Sequence, residues 1–123
     1  MRILVVEDDP ALRDLYVLIL KDAGYEVDQA EDGEVALASI QKGGYDLVLL
    51  DIVLPKLDGV HILSQLKTNP PVLPNKKIVV LSNLGHDEIV GTAMTLGANG
   101  YLIKSDYTPD QILDRVKEFI KND

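Results

Sequence analysis

The sequence contains no cysteine among its 123 residues, so disulfide bonds, thiolate metal sites and catalysis by a thiol are excluded. Basic residues are also scarce. Twelve lysines and arginines stand against twenty aspartates and glutamates, which gives a formal net charge of −8. This charge argues against direct contact with nucleic acid and against attraction to an anionic membrane. We therefore expect neither as a partner.

Long apolar runs are missing as well. The segment that follows Met1 and Arg2 is short and ends in three acids, which is typical neither of a signal peptide nor of a membrane span. We therefore expect a cytoplasmic protein. The chain length suits one domain, and a hydrophobic content of 46% is enough for a core, so residues 1–123 are interpreted as a single domain.

Short apolar runs alternate along the chain with stretches of helical spacing. The runs are residues 3–6, 25–30, 47–50, 78–81 and 101–103. Several of them are continuous, which is typical of strands buried on both faces of a parallel sheet, whereas 25–30 alternates and is predicted to lie at an edge. The pattern predicts an α/β protein in which a doubly wound, five-stranded parallel sheet carries five helices.

The predicted helices have recognisable starts. Asp9 before Pro10 predicts an N-cap, and the first helix is expected to bury an apolar stripe made of Leu12, Leu15, Tyr16, Ile19 and Leu20. Thr108 and Gln111 form a capping box that opens the last helix. Helices are also predicted around residues 35–40, 60–66 and 89–96.

Polar side chains stand at the carboxyl ends of four predicted strands. The first strand ends in Glu7 and Asp8, the third in Asp51, the fourth in Ser82 and the fifth in Lys104. Functional groups of a doubly wound sheet collect at this edge, where neighbouring strands are about 5 Å apart. Converging carboxylates suit a hard divalent cation, so we predict a Mg²⁺ site that Mn²⁺ could also fill.

Asp51 is the candidate nucleophile. A carboxylate can attack phosphorus to give an acyl phosphate, but a phosphoryl donor brings negative charge to a pocket that already holds carboxylates. A divalent cation and Lys104 would offset that charge, and Ser82 would donate a hydrogen bond to a phosphoryl oxygen. Asp9 is interpreted as a helix cap, and His61 and His86 as surface residues of helices without a catalytic role.

These residues, in this order, resemble the receiver domain of two-component response regulators, including the chemotaxis type. The matching motifs are Val5-Val6-Glu7-Asp8-Asp9, Leu49-Leu50-Asp51 with Pro55 and Gly59, Leu81-Ser82, and Gly100-Tyr101-Leu102-Ile103-Lys104. The resemblance covers the whole chain. It implies a flavodoxin-like strand order of 2-1-3-4-5. It departs from the family where Ser105 replaces the usual proline after the lysine, and a trans peptide is expected there.

The resemblance also implies roles for single residues. Asp51 would be the phosphorylated residue, and Asp8 would bind Mg²⁺ directly. Glu7 would act through a water, and the backbone carbonyl of Val53 would complete the protein ligands. Lys104 would pair with the acidic cluster and then with the phosphate. Ser82 and Tyr101 would be the two switch residues.

A phosphorelay function follows from the same resemblance. The donor would be a sensor histidine kinase, a phosphotransfer protein or a small phosphodonor. Phosphorylation would change the face made by the fourth helix, fifth strand and fifth helix, where a downstream effector protein or domain binds. The chain would catalyse only its own phosphorylation and dephosphorylation, and is otherwise not expected to be an enzyme.

Two positions are predicted to set the lifetime of the phosphorylated state. In the family, the residues two places after the acceptor and two places after the switch hydroxyl tune hydrolysis, and here they are Val53 and Leu84. Neither side chain can hydrogen-bond an attacking water, and their bulk should exclude it. A long-lived phosphorylated state is therefore expected, suited to a slow response.

Three other function classes fit the sequence less well. A phosphatase of the haloacid-dehalogenase type needs a second acid two residues after the nucleophile, where this chain has Val53. A flavin-binding protein needs a loop rich in serine, threonine or glycine after the first strand, where Glu7, Asp8 and Asp9 would repel a phosphate. A receiver that acts only as a scaffold would not need the complete set of site residues.

Overall fold

The computed structural model describes residues 1–83 and 87–121. In this part of the chain the strands are β1 (Arg2–Val6), β2 (Glu26–Ala30), β3 (Leu47–Asp51), β4 (Ile78–Ser82) and β5 (Gly100–Ile103). They form one parallel sheet in the order β2-β1-β3-β4-β5. The predicted fold class and strand order are confirmed, and β2 lies at an edge as its alternating pattern indicated.

Four helices connect consecutive strands, a fifth follows β5, and together they cover both faces of the sheet. They are α1 (Pro10–Asp22), α2 (Gly33–Lys42), α3 (Gly59–Thr68), α4 (Asp87–Thr95) and α5 (Pro109–Lys121), and a 3-10 turn, Lys104–Asp106, follows β5. Right-handed crossovers between parallel strands produce this arrangement. All carboxyl ends of the strands therefore meet at one edge.

Two apolar cores lie on opposite sides of the sheet. Alternate residues of β1 enter different cores, since side chains of a strand point alternately to its two faces: Leu4 and Val6 pack with α2, α3 and α4, whereas Ile3 and Val5 pack with α1 and α5. This double burial explains why β1 and β3 read as continuous apolar runs rather than alternating ones.

Side chains cap the first and last helices as the sequence predicted. The Asp9 carboxylate accepts hydrogen bonds from the backbone amides of Ala11 and Leu12, at 3.0 and 3.3 Å. Thr108 and Gln111 form the reciprocal capping box, with the Thr108 amide donating to the Gln111 side chain at 2.9 Å and the Gln111 amide donating to the Thr108 hydroxyl at 3.3 Å. Both caps satisfy amides that have no partner inside the helix.

The buried face of α1 differs from the predicted stripe at two residues, Leu15 and Val17. Tyr16, Val17 and Leu20 are its buried residues, while Leu15 is 41% exposed. Leu15 and Val17 lie about 200° apart around the helix, so the buried face is rotated from the predicted one, away from Leu15 and toward Val17. The sequence could not choose between the two because both are apolar.

Within the described residues, no helix combines the length and the apolar character needed to cross a membrane.

Candidate functional site

The carboxyl ends of β1 and β3 bring three acids together. Oxygen atoms from Glu7, Asp8 and Asp51 lie within 4.8 Å of one another. β1 and β3 are paired neighbours, with Val6 opposite Leu50, so the residues that follow each strand converge. Glu7 and Asp51 are buried and Asp8 is exposed. The cluster is therefore open to solvent on the Asp8 side.

Lys104 lies between two of these acids. Its Nζ atom is 2.7 Å from Glu7 Oε1 and 2.7 Å from Asp51 Oδ2. The lysine belongs to the turn after β5, at the far end of the sheet from β1, and its long side chain spans the distance. Burial would lower the pKa of Lys104, but the two carboxylates outweigh burial and raise it above its usual value. The ammonium is thus fixed in its charged form.

Glu7 uses both of its oxygens inside the protein. Oε1 accepts from Lys104, and Oε2 accepts the backbone amide of Asp8 at 3.0 Å. Its side chain is 1% exposed. Burial and the neighbouring Asp51 raise the pKa of Glu7, while Lys104 lowers it, and the net direction is upward. The site therefore carries a repulsion between carboxylates that a single lysine only partly relieves.

Both carboxylate oxygens of Asp51 accept hydrogen bonds from the protein. Its Oδ1 atom accepts the backbone amide of Val53 at 3.2 Å, and its Oδ2 atom accepts from Lys104. The residue is only 5% exposed. These contacts fix the carboxylate plane at the end of β3. Val53 itself is half exposed and apolar, so the position where a leaving-group acid would stand in the phosphatase alternative holds no ionisable group.

The two expected switch residues lie on neighbouring strands: Ser82 is the last residue of β4, and Tyr101 is the second residue of β5. Ser82 is buried, and its hydroxyl donates to the carbonyl of Asn83 at 3.0 Å. Tyr101 is about half exposed. The register places Ser82 opposite Ile103, next to Lys104. The hydroxyl and the ammonium therefore stand on adjacent strand ends, as the sequence predicted.

Some sequence predictions fall outside the described residues. Leu84 and His86 are among them, so the lifetime role of Leu84 and the surface position of His86 stay predictions. His61 is exposed on α3, where its Nδ1 atom is 2.9 Å from Asp58. The described residues contain no cis peptide bond, and the Lys104-Ser105 bond is trans as expected.

Sequence reasoning missed two contributors to the site. Arg13 reaches back from α1 and donates to the backbone carbonyl of Glu7 at 2.9 Å. Tyr16 was predicted as apolar packing, yet its hydroxyl is close enough to the cluster for charges there to act on it: burial raises its pKa and the charge of Lys104 opposes that rise. The available signal for Arg13 was its position in the sequence, as a basic residue one helical turn after the N-cap Asp9.

The donor set fits a hard divalent cation. All three candidate side chains are carboxylates, which are the ligands that Mg²⁺ prefers, and the exposed Asp8 leaves room for water. Among the described residues, the cation paired with this cluster is Lys104, which contacts Glu7 and Asp51, so three acids share one ammonium group. These residues can therefore hold a divalent ion.

Comparison with known proteins decides the family. A protein-family model described as the response regulator receiver domain matches residues 3–117. The chain belongs to this family. Receiver domains of response regulators are phosphoryl-accepting switches of two-component systems, and they are generally not enzymes. The resemblance that the motifs indicated is confirmed.

Solved structures and curated proteins show the same relationship. The receiver domain from Methanospirillum hungatei superposes with a TM-score of 0.83 at 31% identity, covering 98% of this chain and 93% of the other. TrrA from Thermotoga maritima, solved in complex with Mg²⁺ and BeF, has a TM-score of 0.77 at 35% identity, covering 96% and 97%.

Among curated proteins, the Bacillus subtilis regulator PhoP, described as controlling alkaline phosphatase synthesis, is 34% identical over 98% of this chain. The gliding motility regulatory protein of Myxococcus xanthus is 34% identical over 94% of it. The receiver domain spans 48% of the length of PhoP and 15% of the length of the motility protein.

Proposed function

We propose that this receiver domain, residues 1–123, accepts a phosphoryl group on Asp51 in a Mg²⁺-dependent reaction. The observation that carries the proposal is the position of Asp51: a nearly buried carboxylate, oriented by the Val53 amide and by Lys104, beside two further acids. The donor is a sensor histidine kinase, a phosphotransfer protein or a small phosphodonor. The location of such a pathway is the cytoplasm.

The transfer exchanges one bond to phosphorus for another. A carboxylate oxygen of Asp51 forms the new O–P bond as the N–P bond of a phosphohistidine breaks, and the electron pair of that bond remains on the imidazole nitrogen. Lys104, which pairs with the Asp51 carboxylate before the transfer, would pair with the phosphoryl oxygens after it. Ser82 would turn its hydroxyl from the Asn83 carbonyl to donate to a phosphoryl oxygen. Phosphorylation and dephosphorylation of Asp51 are then the only reactions that the domain catalyses.

Mg²⁺ would be held by Asp8 and Asp51 directly, by the Val53 carbonyl, and by Glu7 through a water. Bound Mg²⁺ supplies positive charge to the phosphoryl oxygens. The three clustered carboxylates support this assignment, and so does the similarity to TrrA, which was solved with Mg²⁺ and BeF. Mn²⁺, which takes the same oxygen ligands, would substitute.

The output surface would be the face of α4, β5 and α5. Tyr101 on β5 is half exposed on this face, so a change in its ring position would be visible to a partner. We propose a downstream effector protein or domain as that partner. With a net charge of −8, this chain would contact neither nucleic acid nor a membrane itself.

Intact-mass spectrometry tests the proposal. After incubation with Mg²⁺ and phosphoramidate, the protein should gain the mass of one phosphoryl group, and the adduct should be labile at alkaline pH as an acyl phosphate is. Chelating Mg²⁺ beforehand should prevent uptake. No adduct under any of these conditions would contradict the proposed function.

Val53 would slow loss of the phosphoryl group by excluding water, together with Leu84. We expect Val53→Asn to shorten the half-life of the phosphoprotein several-fold, because an amide can orient an attacking water and valine cannot. The measurement is decay of the adduct in Mg²⁺ buffer, with Val72→Asn as a control because Val72 is 85% exposed in the connection between α3 and β4. Equal half-lives for wild type and Val53→Asn would remove Val53 from this role.

A further inference from the structure

The loop that follows the acceptor is fastened to a neighbouring helix. Residues 52–58, named here the β3–α3 loop, begin next to Asp51 and contain Val53. The backbone amide of Gly33, the first residue of α2, donates to the carbonyl of Pro55 at 3.2 Å. At the other end of the loop, the Gly59 amide donates to the Ile52 carbonyl at 2.9 Å. The loop is therefore held at its middle and at its end.

The contact between α2 and the loop is a direct approach of two backbones. A Cβ atom added to Gly33 would lie 1.5 Å from the carbonyl oxygen of Leu57, so only glycine fits there. The loop atoms nearest to Gly33 are the backbone carbonyl and the Cβ atom of Leu57. A displacement of the start of α2 would therefore also displace the β3–α3 loop, and a displacement of the loop would displace α2.

A buried carboxylate joins the same two segments. Asp32 is the N-cap of α2, and its Oδ1 atom accepts the backbone amide of Val35 at 3.0 Å. Its other oxygen, Oδ2, is 3.4 Å from Lys56 Nζ in the β3–α3 loop. The Asp32 side chain is 9% exposed. One side chain thus caps a helix with one oxygen and anchors the loop with the other.

The backbone conformation of Lys56 is unusual for a residue other than glycine. Among the described residues it is the only one other than glycine with a positive φ, at 67°. A side chain in this left-handed region costs about 1 kcal/mol or more, and glycine or asparagine would reduce the cost. Lysine at such a position is therefore explained best by its ion pair with Asp32.

The charge of Asp32 is consistent with this contact. The hydrogen bond from the Val35 amide lowers the pKa of Asp32, burial opposes that effect, and the nearby Lys56 lowers the pKa further. The carboxylate is ionised at neutral pH, so the pair with Lys56 is a pair of full charges.

We propose that Asp32 and Lys56 form a latch that holds the β3–α3 loop in the conformation that presents Val53 to the acidic cluster, so that the latch sets the affinity of the site for Mg²⁺. The inference rests on the proposed function, because it takes the Val53 backbone as part of the metal site. Asp32 and Lys56 are positioning residues: neither belongs to the acidic cluster, and both act through the loop.

The direction in which one substitution changes the affinity for Mg²⁺ distinguishes a latch from a purely electrostatic effect. If Lys56 acted only as a nearby positive charge, removing it would strengthen the binding of a cation, whereas removing the negative charge of Asp32 would weaken it. A latch predicts weaker binding for both. Lys56→Asn is the informative variant, because asparagine tolerates a positive φ and removes the charge.

The experiment is a Mg²⁺ titration by calorimetry at fixed ionic strength. Lys56→Asn and Asp32→Asn should each bind Mg²⁺ about three- to tenfold more weakly than wild type, and the double variant should be no weaker than either, as expected for one shared contact. Asp32→Asn keeps an oxygen that can accept the Val35 amide, so α2 remains capped. Lys67→Asn, on the last turn of α3, is the control for loss of a positive charge.

A second readout does not depend on metal. Amide hydrogen exchange of residues 52–58 in the metal-free protein should be faster in both latch variants and unchanged in Lys67→Asn. Binding of Mg²⁺ to Lys56→Asn that is as tight as or tighter than in wild type would overturn the latch while leaving the proposed function in place. Absence of saturable Mg²⁺ binding in wild type would overturn the proposed metal site and the latch with it.

Discussion

Asp51→Asn should abolish phosphoryl uptake while leaving the fold intact. The amide keeps the shape of the carboxylate, and its oxygen can still accept the Val53 amide or Lys104, but it has no nucleophilic oxygen to form an acyl phosphate. In the presence of Mg²⁺ and phosphoramidate, the adduct seen by intact-mass spectrometry should fall from a major species to below detection.

Asp9→Asn is the matched control for that result. Asp9 lies in the same acidic run as Glu7 and Asp8, but it caps α1, a role that asparagine fills equally well. This variant should take up the phosphoryl group as wild type does. A stoichiometric adduct on another carboxylate of Asp51→Asn would show that the acceptor has been wrongly assigned.

Lys104→Met should destabilise the protein strongly at neutral pH. The lysine contacts two carboxylates whose side chains are 1% and 7% exposed, and methionine replaces its length without its charge. Removing one partner leaves buried charge without compensation, so we expect the free energy of unfolding to fall by about 3 to 5 kcal/mol at pH 7. Urea unfolding measures this free energy. Lys67→Met is the control, because Lys67 is an exposed lysine in the last turn of α3.

The loss of stability should depend on pH. The pKa of Glu7 is already raised in the folded protein, and loss of Lys104 must raise it further. The folded state then holds a proton that the unfolded state releases, so stability falls as pH rises from the unfolded pKa of Glu7 through its folded pKa. The difference between Lys104→Met and wild type should therefore be smaller at pH 5 than at pH 7.

Mg²⁺ provides a further check on Lys104→Met. Divalent cation at millimolar concentration should recover part of the lost stability at pH 7, because it binds the folded acidic cluster and not the unfolded chain. A variant as stable as wild type at both pH values would show that Lys104 is not needed to neutralise Glu7 and Asp51.

The strand ends were predictable from the sequence because parallel strands leave no choice about where their carboxyl ends lie. Once the apolar runs ending at Glu7, Asp51 and Ser82 were interpreted as neighbouring strands, their side chains had to meet at one edge. Capping signals such as Asp9-Pro10 were equally reliable, since they depend on contacts within a few residues. Family membership followed from the same motifs.

Only the tertiary structure decided which partners these residues take. The sequence placed Lys104 near the acids but did not say that it would contact Glu7 and Asp51 at once, which depends on the length of its side chain across the sheet. It also gave no sign that α1 would bury Val17 and expose Leu15, because a rotation of the helix exchanges two apolar residues without changing the pattern.

The contact between Asp32 and Lys56 lies furthest beyond the reach of the sequence. The two residues are far apart in the chain, and a lysine gives no signal that its backbone will adopt a positive φ. By itself, the sequence determined the fold, the site edge and the residue types there, because local propensity and the topology of parallel strands act through short-range rules. The partners of individual charges were decided by the packing of separate segments, which depends on distances that no spacing in the chain encodes.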